Sequence, residues 1–383
     1  MKTTGKLLVV ITLLLTASKI CFGGIDEYQE RTKSFNVNKG GSLYVNVNPG
    51  QITIIPWDKN EVVVKIKEME EDELNNVKME SSNNEVRVEY DSEWGEGEAE
   101  FYINVPSQFN LELISSAGDI IVKENISGEV LAKTAGGDIS FKNINGNLTA
   151  TTAGGNIHVG DIEGALKINT AGGDIIIGTT KGKSIKAVTS GGDINITKAY
   201  SGAYLRTSGG DISAGDLGGD SELLTSGGNV TVGNVTGNVR METSGGDLEL
   251  RGAKGKVIAK TSGGNIALKK IVGSVTAKTS AGDVDVMLDP SAGTESVIST
   301  NAGEIVLRVP SSAKTEIDAT LRFYGHRRNS SEDFKIYSDF QAKESNTDND
   351  SKVSKAKYLI NGGGSKISLS ATESGIKILK SDK

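Results

Sequence analysis

Ala135-Gly136-Gly137-Asp138 opens a short phrase that returns along most of this chain. The residue that closes the phrase is always Asp or Asn, and it stands at positions 138, 156, 174, 193, 211, 229, 247, 265 and 283. The step is 18 residues, apart from a single step of 19. A unit of this length is too short to be a domain, so each copy must stack on its neighbours. The repeat therefore predicts a solenoid.

Apolar residues alternate along two short segments of each repeat. In one repeat Val130 and Ala132 lead to Thr134, while Ile139 and Phe141 follow the phrase. Side chains alternate across a strand, so these positions share the inward face. The alternation predicts strands, and helical spacing fits nowhere in this stretch.

Glycines mark two predicted corners of each repeat. One corner is the phrase itself, and the other lies half a repeat away at glycines such as Gly146 and Gly164. We expect glycine at both because the chain must turn with positive φ, and a neighbouring Asp or Asn can bond its own backbone. The predicted structural turn residues are Gly137, Gly155, Gly173, Gly192, Gly210, Gly228, Gly246 and Gly264.

These patterns predict an all-β fold, a single-chain parallel β-helix (β-solenoid) of about 18 residues per coil that is capped at both ends. Right-handed winding is expected from the general preference of parallel crossovers. A left-handed hexapeptide helix also has about 18 residues per coil and is typical of acyltransferases. The inward positions 130, 132, 134, 139, 141 and 144 do not follow a six-residue spacing, which disfavours that alternative.

Four segments follow from the pattern. Residues 1–23 resemble a secretory signal peptide, because Lys2 and Lys6 precede an apolar run at 7–15. Residues 24–115 are predicted to form a β-rich cap with the first irregular coils, and 116–308 the regular repeats. Residues 309–383 are predicted to form the C-terminal strands and cap, with a polar surface loop at 329–357.

The predicted signal peptide sets the expected compartment and charge. It indicates export to the periplasm, the cell surface or the extracellular space, with no transmembrane segment in the mature chain. Its removal takes away Cys21, the only cysteine, unless that residue carries a lipid. Removing three lysines changes the formal net charge from −7 to −10 (−7 − 3), and such an acidic chain argues against a nucleic-acid partner.

The row of turn carboxylates is the strongest candidate for chemistry. Stacked acids can hold calcium, but the chain lacks the Gly-Gly-x-Gly-x-Asp spacing of calcium-binding repeats, so turn geometry is the favoured interpretation. The candidate calcium row is Asp138, Asp174, Asp193, Asp211, Asp247 and Asp283. No other metal, cofactor or catalytic residue is predicted.

A threonine also occurs once per repeat, just before the phrase. Threonine rows on flat β-helices can bind ice, but alternation places this row inward and predicts an internal hydroxyl ladder. Outward positions such as Ser140, His158 and Asn195 show no convergent acid pair, and the short turns leave no loops for a cleft. We therefore predict a protein that is not an enzyme. Outward aromatics that could stack on sugars are few, chiefly Tyr200 and Tyr204.

Several local phrases together resemble the putative-adhesin family of bacterial β-strand-repeat proteins, a family of unknown function. They are Pro49-Gly50-Gln51-Ile52-Thr53-Ile54, Trp57, Val105-Pro106, the repeated phrase itself and Asn361-Gly362-Gly363-Gly364. The resemblance implies a right-handed β-helix exported to the cell envelope or beyond, and it offers no catalytic residues.

The leading functional hypothesis is an adhesin-like protein that presents its repetitive surface to a glycan or another envelope component. A structural or stress-sensing scaffold of the cell envelope is the alternative, and a polysaccharide-active β-helix enzyme is a distant third.

Overall fold

The structure is a computed structural model that describes residues 29–92, 99–323, 335–348 and 351–381. Within these residues the protein is all-β, with 35 strands and one six-residue helix, α1 (Glu71–Asn76). Thirty-three strands belong to one large sheet that winds as a solenoid, and two form a small second sheet. The predicted signal peptide at 1–23 lies outside the described residues.

Nine strands precede the regular repeats. They are β1 (Gln29–Asn36), β2 (Ser42–Asn48), β3 (Gln51–Trp57), β4 (Glu61–Met69), β5 (Lys78–Ser82), β6 (Glu85–Asp91), β7 (Glu100–Pro106), β8 (Asn110–Ser115) and β9 (Ile120–Val122).

The regular repeats contribute the next eighteen strands. They are β10 (Ile126–Ser127), β11 (Val130–Lys133), β12 (Ile139–Phe141), β13 (Ile144–Asn145), β14 (Leu148–Thr151), β15 (Ile157–Val159), β16 (Leu166–Asn169), β17 (Ile175–Thr180), β18 (Ile185–Val188), β19 (Ile194–Ala199), β20 (Tyr204–Arg206), β21 (Ile212–Leu217), β22 (Ser221–Leu224), β23 (Val230–Val235), β24 (Val239–Glu242), β25 (Leu248–Lys260), β26 (Ile266–Lys278) and β27 (Val284–Pro290).

The remaining eight strands form the C-terminal part. They are β28 (Glu295–Ser299), β29 (Ile305–Val309), β30 (Thr315–Arg322), β31 (Ile336–Ser338), β32 (Glu344–Asp348), β33 (Val353–Ile360), β34 (Ser365–Thr372) and β35 (Ile376–Lys380).

Successive repeats pair in parallel, with equivalent residues opposite one another. Leu148 of β14 pairs with Val130 of β11 on one side and with Leu166 of β16 on the other. Ile157 of β15 pairs with Ile139 and Ile175 in the same way. Because side chains at paired positions point to the same side, each inward position forms a column along the solenoid.

Three sets of strands that pair with one another define three surfaces. Face A contains β11, β14, β16, β18, β20, β22, β24 and the C-terminal halves of β25 and β26. Face B contains β12, β15, β17, β19, β21, β23 and the N-terminal halves of β25 and β26. Face C begins with β10 and β13 and continues through bridges such as Ile162 with Thr180.

The inward columns form one continuous apolar core. The alternating residues Leu148, Ala150, Ile157, Val159 and Ile162 are all at most 1% exposed. At roughly 25 cal/mol per Å² of buried apolar surface, this burial is the main stabilising contribution, and it is shared between neighbouring repeats.

Antiparallel pairs occur beside the parallel ones at both ends. At the N-terminal end β1 pairs with β4, β4 with β7, and β5 with β6, all antiparallel. At the C-terminal end β33 pairs antiparallel with both β30 and β32.

The prediction of a polar loop at 329–357 is wrong for most of the described residues in that range. They hold β31, β32 and the first part of β33. All five side chains of β32 are exposed, so neither face of this strand packs against the rest of the described residues. A strand without a buried face needs no apolar alternation, so its sequence gave no signal.

Candidate functional site

The Asp or Asn that closes each phrase connects one repeat to the next. Asp138 Oδ1 accepts the backbone N–H of Asn156 at 2.6 Å, and Asn156 Oδ1 accepts that of Asp174 at 2.8 Å. These side chains bond the next repeat instead of their own backbone, which corrects the expectation from sequence. We call the row the Asx ladder, and its acceptors are Asp119, Asp138, Asn156, Asp174, Asp193, Asp211, Asn229, Asp247, Asn265 and Asp283.

The candidate calcium row is part of this ladder. Each of its carboxylates has Oδ1 engaged with a backbone N–H of the next repeat. Among the described residues no group of three or more His, Cys, Asp or Glu side chains is arranged to hold a metal ion. The hydrogen bonds between repeats therefore explain this row of carboxylates without a bound ion.

The second glycine of each phrase packs closely on the preceding repeat. A Cβ on Gly155 would stand 2.1 Å from Gly137 O, and a Cβ on Gly173 would stand 2.1 Å from Gly155 O. The φ of these turn glycines lies outside the left-handed range. At the other corner Gly128 and Gly146 have φ of 153° and 154°, but Gly164 does not adopt a positive φ in this range. The prediction that the phrase needs glycine for a positive φ is therefore wrong. Glycine is needed there because a side chain would clash with the backbone of the preceding repeat.

The threonine row points inward, as alternation predicts. Thr225 Oγ1 donates to Gly210 O at 2.8 Å and accepts the N–H of Gly228 at 3.3 Å. The hydroxyls thus bond to glycine backbones instead of to one another. The buried members of this row are Thr134, Thr152, Thr170, Thr189, Thr207, Thr225, Thr243, Thr261 and Thr279.

Apart from the Asx ladder, the turn glycines and the threonine row, face A presents charged and aromatic side chains to the outside. Two columns of side chains point outward from it. The first column is Lys167, Lys186, Tyr204, Glu222, Arg240, Ile258 and Thr276. The second column is Asn169, Val188, Arg206, Leu224, Glu242, Lys260 and Lys278.

An open groove of about 500 Å³ lies beside the first column. Its lining includes Tyr204, Glu222 and Arg240, together with Asp220 and Lys256. Tyr204 is half-buried, and its ring lies 5.5 Å from Nζ of Lys186 on the neighbouring strand. The groove combines an aromatic surface with carboxylate and cationic groups.

A second groove of about 710 Å³ lies between the second column and the exposed serine that begins each phrase. It includes Arg206, Glu242, Lys260 and Lys278, and Arg240 belongs to both grooves. Its serine rim consists of Ser226, Ser244, Ser262 and Ser280.

Ion pairs connect the two columns. Arg240 contacts Glu242 at 2.8 Å and Glu222 at 3.6 Å, and Lys260 contacts Glu242 at 3.1 Å. Burial acts to raise the pKa of Glu242, but the hydrogen bonds from Arg240 and Lys260 outweigh it and lower that pKa below its ordinary value. Glu242 is therefore ionised at neutral pH.

Sequence reasoning missed this surface because it considered a complete row of outward positions on face B only, and on face A it singled out Tyr204 alone. The signal was present: Arg206, Glu242, Lys260 and Lys278 each stand directly before an inward threonine. Alternation alone places such residues outward. Their register across seven strands becomes evident only from the pairing.

The described residues contain no helix with the length and apolar character of a membrane span.

Comparison with known proteins gives a family and distant structural similarities. The Toastrack DUF4097 family model matches residues 27–214 and 199–339. No curated protein matches the chain.

Among solved structures, a putative cell adhesion protein from Clostridium sporogenes is 10% identical, with 92% of this chain and 99% of that chain covered and a TM-score of 0.17. A putative adhesin from Bacteroides fragilis is 11% identical, with 92% and 96% covered and a TM-score of 0.24. A putative lipid binding protein from Parabacteroides distasonis is 9% identical, with 91% and 96% covered and a TM-score of 0.22. At these TM-scores the similarities carry no functional argument.

Proposed function

We propose that this chain, which belongs to the Toastrack DUF4097 family of unknown function, is a non-enzymatic, exported, adhesin-like protein that binds a carbohydrate on face A. The location under this proposal is the periplasm, the cell surface or the extracellular space. The proposal includes right-handed winding, about 18 residues per coil and a cap at each end.

One observation carries the carbohydrate proposal: Tyr204, Glu222 and Arg240 occupy successive strands in one outward column. Neighbouring strands are about 4.8 Å apart, so the three groups follow one another at that spacing. A sugar can place its apolar face on the tyrosine ring while its hydroxyls bond the carboxylate and the guanidinium. The groove of about 500 Å³ provides room for a short stretch of glycan.

The test is binding of the purified protein to an array of glycans, envelope polysaccharides and matrix proteins. Tyr204→Ala is the test variant, and Tyr200→Ala is the matched control, because Tyr200 is 58% exposed and lies outside the two grooves. We expect Tyr204→Ala to weaken binding about tenfold, which corresponds to about 1.4 kcal/mol. Tyr200→Ala should leave the affinity within about twofold.

Equal affinities of both variants and the unmodified protein would refute a site at Tyr204. Absence of any glycan binding across the array would favour the alternative, a structural or stress-sensing scaffold of the cell envelope. Its partner would then be sought by cross-linking in the native cell.

A further inference from the structure

The charge of face A is opposite in sign to that of the whole chain. The chain has a formal net charge of −7. Between β16 and β26 the two outward columns of face A contain six cations and two carboxylates, a formal charge of +4 (6 − 2). The cations are Lys167, Lys186, Arg206, Arg240, Lys260 and Lys278, and the carboxylates are Glu222 and Glu242.

The two carboxylates do not neutralise the surface evenly. Both contact Arg240, and Glu242 also contacts Lys260. Within the part of the chain that the structure describes, Lys167, Arg206 and Lys278 have no ion-pair partner, and all three are exposed. Unpaired cations therefore lie on both sides of the ion pairs that Arg240 and Lys260 form with the two carboxylates.

The cations lie along the solenoid axis, three in each of the two columns, and together form a path two side chains wide. They occur on six of the seven strands from β16 to β26, and six intervals of about 4.8 Å give a length of about 30 Å along the solenoid. The two grooves lie on either side of this path and share Arg240. An extended ligand can meet a positive charge at nearly every strand it crosses. Individually weak surface contacts then add up along one chain.

We propose that face A binds a linear anionic polysaccharide, whose sugars carry carboxylate or sulfate groups, along the solenoid axis. This inference rests on the proposed carbohydrate-binding function and specifies the class of glycan. The serine rim supplies hydroxyls that can bond to sugar hydroxyls. Single-stranded nucleic acid fits less well, since its binding relies on several stacking aromatics and these two columns have only Tyr204.

The test uses two matched pairs of polymers that differ in charge. One pair is polygalacturonate and its fully methyl-esterified form, and the other is dextran sulfate and dextran. We expect at least one charged polymer to bind about tenfold more tightly than its neutral counterpart at low salt. The difference should shrink as salt rises, because exposed charges are screened.

A double variant locates the site. Arg206→Gln with Lys278→Gln removes two unpaired cations of face A, and we expect it to lower the affinity for the charged polymer about tenfold. Arg251→Gln with Lys254→Gln is the matched control, since it removes one arginine and one lysine that are exposed but lie outside both grooves. The control should bind within about twofold of the unmodified protein.

The outcomes separate this inference from the proposed function. Equal, salt-independent binding of the neutral and charged polymers would overturn the anionic class while carbohydrate binding stands. If no charged polymer binds, the inference is overturned. Binding to the neutral glycans of the array then decides whether the proposed function stands. Equal weakening by both double variants would overturn face A as the site. Single-stranded DNA that binds as tightly as the charged glycans would overturn the polysaccharide class.

Discussion

The carboxylate of Asp193 accepts a hydrogen bond from the backbone N–H of Asp211, with Oδ1 and N 2.7 Å apart. Asp211 in turn accepts from the backbone N–H of Asn229 at 2.6 Å. Acidic residues at the turns of adjacent repeats thus tolerate their like charges, because each has a backbone donor of the next repeat as its partner. Side chains that the sequence suggested as calcium ligands join the repeats to one another.

Replacing Asp193 tests this role. Asp193→Ala should lower the free energy of unfolding by about 1 kcal/mol, because the N–H of Asp211 loses its partner. Asp193→Asn keeps an acceptor oxygen and should lower the free energy of unfolding by less. Asn229 already accepts the backbone N–H of Asp247 in the same way. Urea unfolding of both variants measures the difference. Equal losses for Ala and Asn would show that charge, not the hydrogen bond, matters at this position.

Calcium should not stabilise the protein. The Oδ1 atoms of the Asx ladder are already engaged, and Asn amides interrupt the row at 156, 229 and 265. We expect the melting temperature to change by less than about 1 °C between chelator and millimolar calcium. A rise of several degrees that disappears in Asp193→Asn would instead indicate an ion on this row.

The two glycines of a phrase should respond differently to substitution. A Cβ on Gly210 would lie 2.2 Å from Gly192 O, so Gly210→Ala must push neighbouring backbones apart and should cost about 3 kcal/mol or more. A Cβ on Gly209 would lie 3.1 Å from Gly191 O, and Ala281 already occupies the equivalent place in a later repeat. Gly209→Ala should therefore stay within about 1 kcal/mol. Thermal and urea unfolding check the order, and similar losses for both would contradict the packing argument.

Thr180 should be a stabilising site. Its side chain is 0% exposed, and its hydroxyl has no hydrogen-bond partner among the described residues. Thr180→Val keeps the shape and removes the unsatisfied group, so we expect stability to rise by about 1 kcal/mol. Thr225→Val is the contrast, because it removes a hydroxyl with two partners and should cost about 1–3 kcal/mol. If Thr180→Val also destabilised the protein, its hydroxyl would have a partner such as a buried water.

The ion pairs of Glu242 should make stability depend on pH. Its pKa is lowered in the folded state, so its contribution is present above the unfolded pKa of about 4.3 and is lost as pH falls through the folded value. Glu242→Gln should therefore be less stable than the unmodified protein by about 1 kcal/mol near neutral pH, with the difference closing in acid.

Urea unfolding between about pH 7 and pH 2.5 measures that closure. Glu112→Gln is the control, because Glu112 is an exposed glutamate on a strand that pairs into the same sheet. A deficit for Glu242→Gln that stays constant with pH would show that ionisation of Glu242 does not contribute.

The sequence by itself determined the repeat, the strands and the inward side chains. Leu148, Ile157 and Thr225 are buried where alternation places them, because a two-residue period leaves only one choice of face for an apolar side chain. The family resemblance, which rested on local phrases, is confirmed by the match to the Toastrack DUF4097 model.

Only the tertiary structure decided how the repeats are joined and how they end. The hydrogen bond that the N–H of Asp211 donates to Asp193 and the contact of Gly210 with Gly192 both cross between repeats, so no feature within one repeat specifies them. At the C-terminal end β34 inserts between β28 and β30, although β30 precedes it in the chain. Such an order of strands depends on which strand edges are still unpaired when the C-terminal segments come together during folding. The same holds for the cations of face A, which lie at least 18 residues apart in sequence and come together only because the strands pair in register.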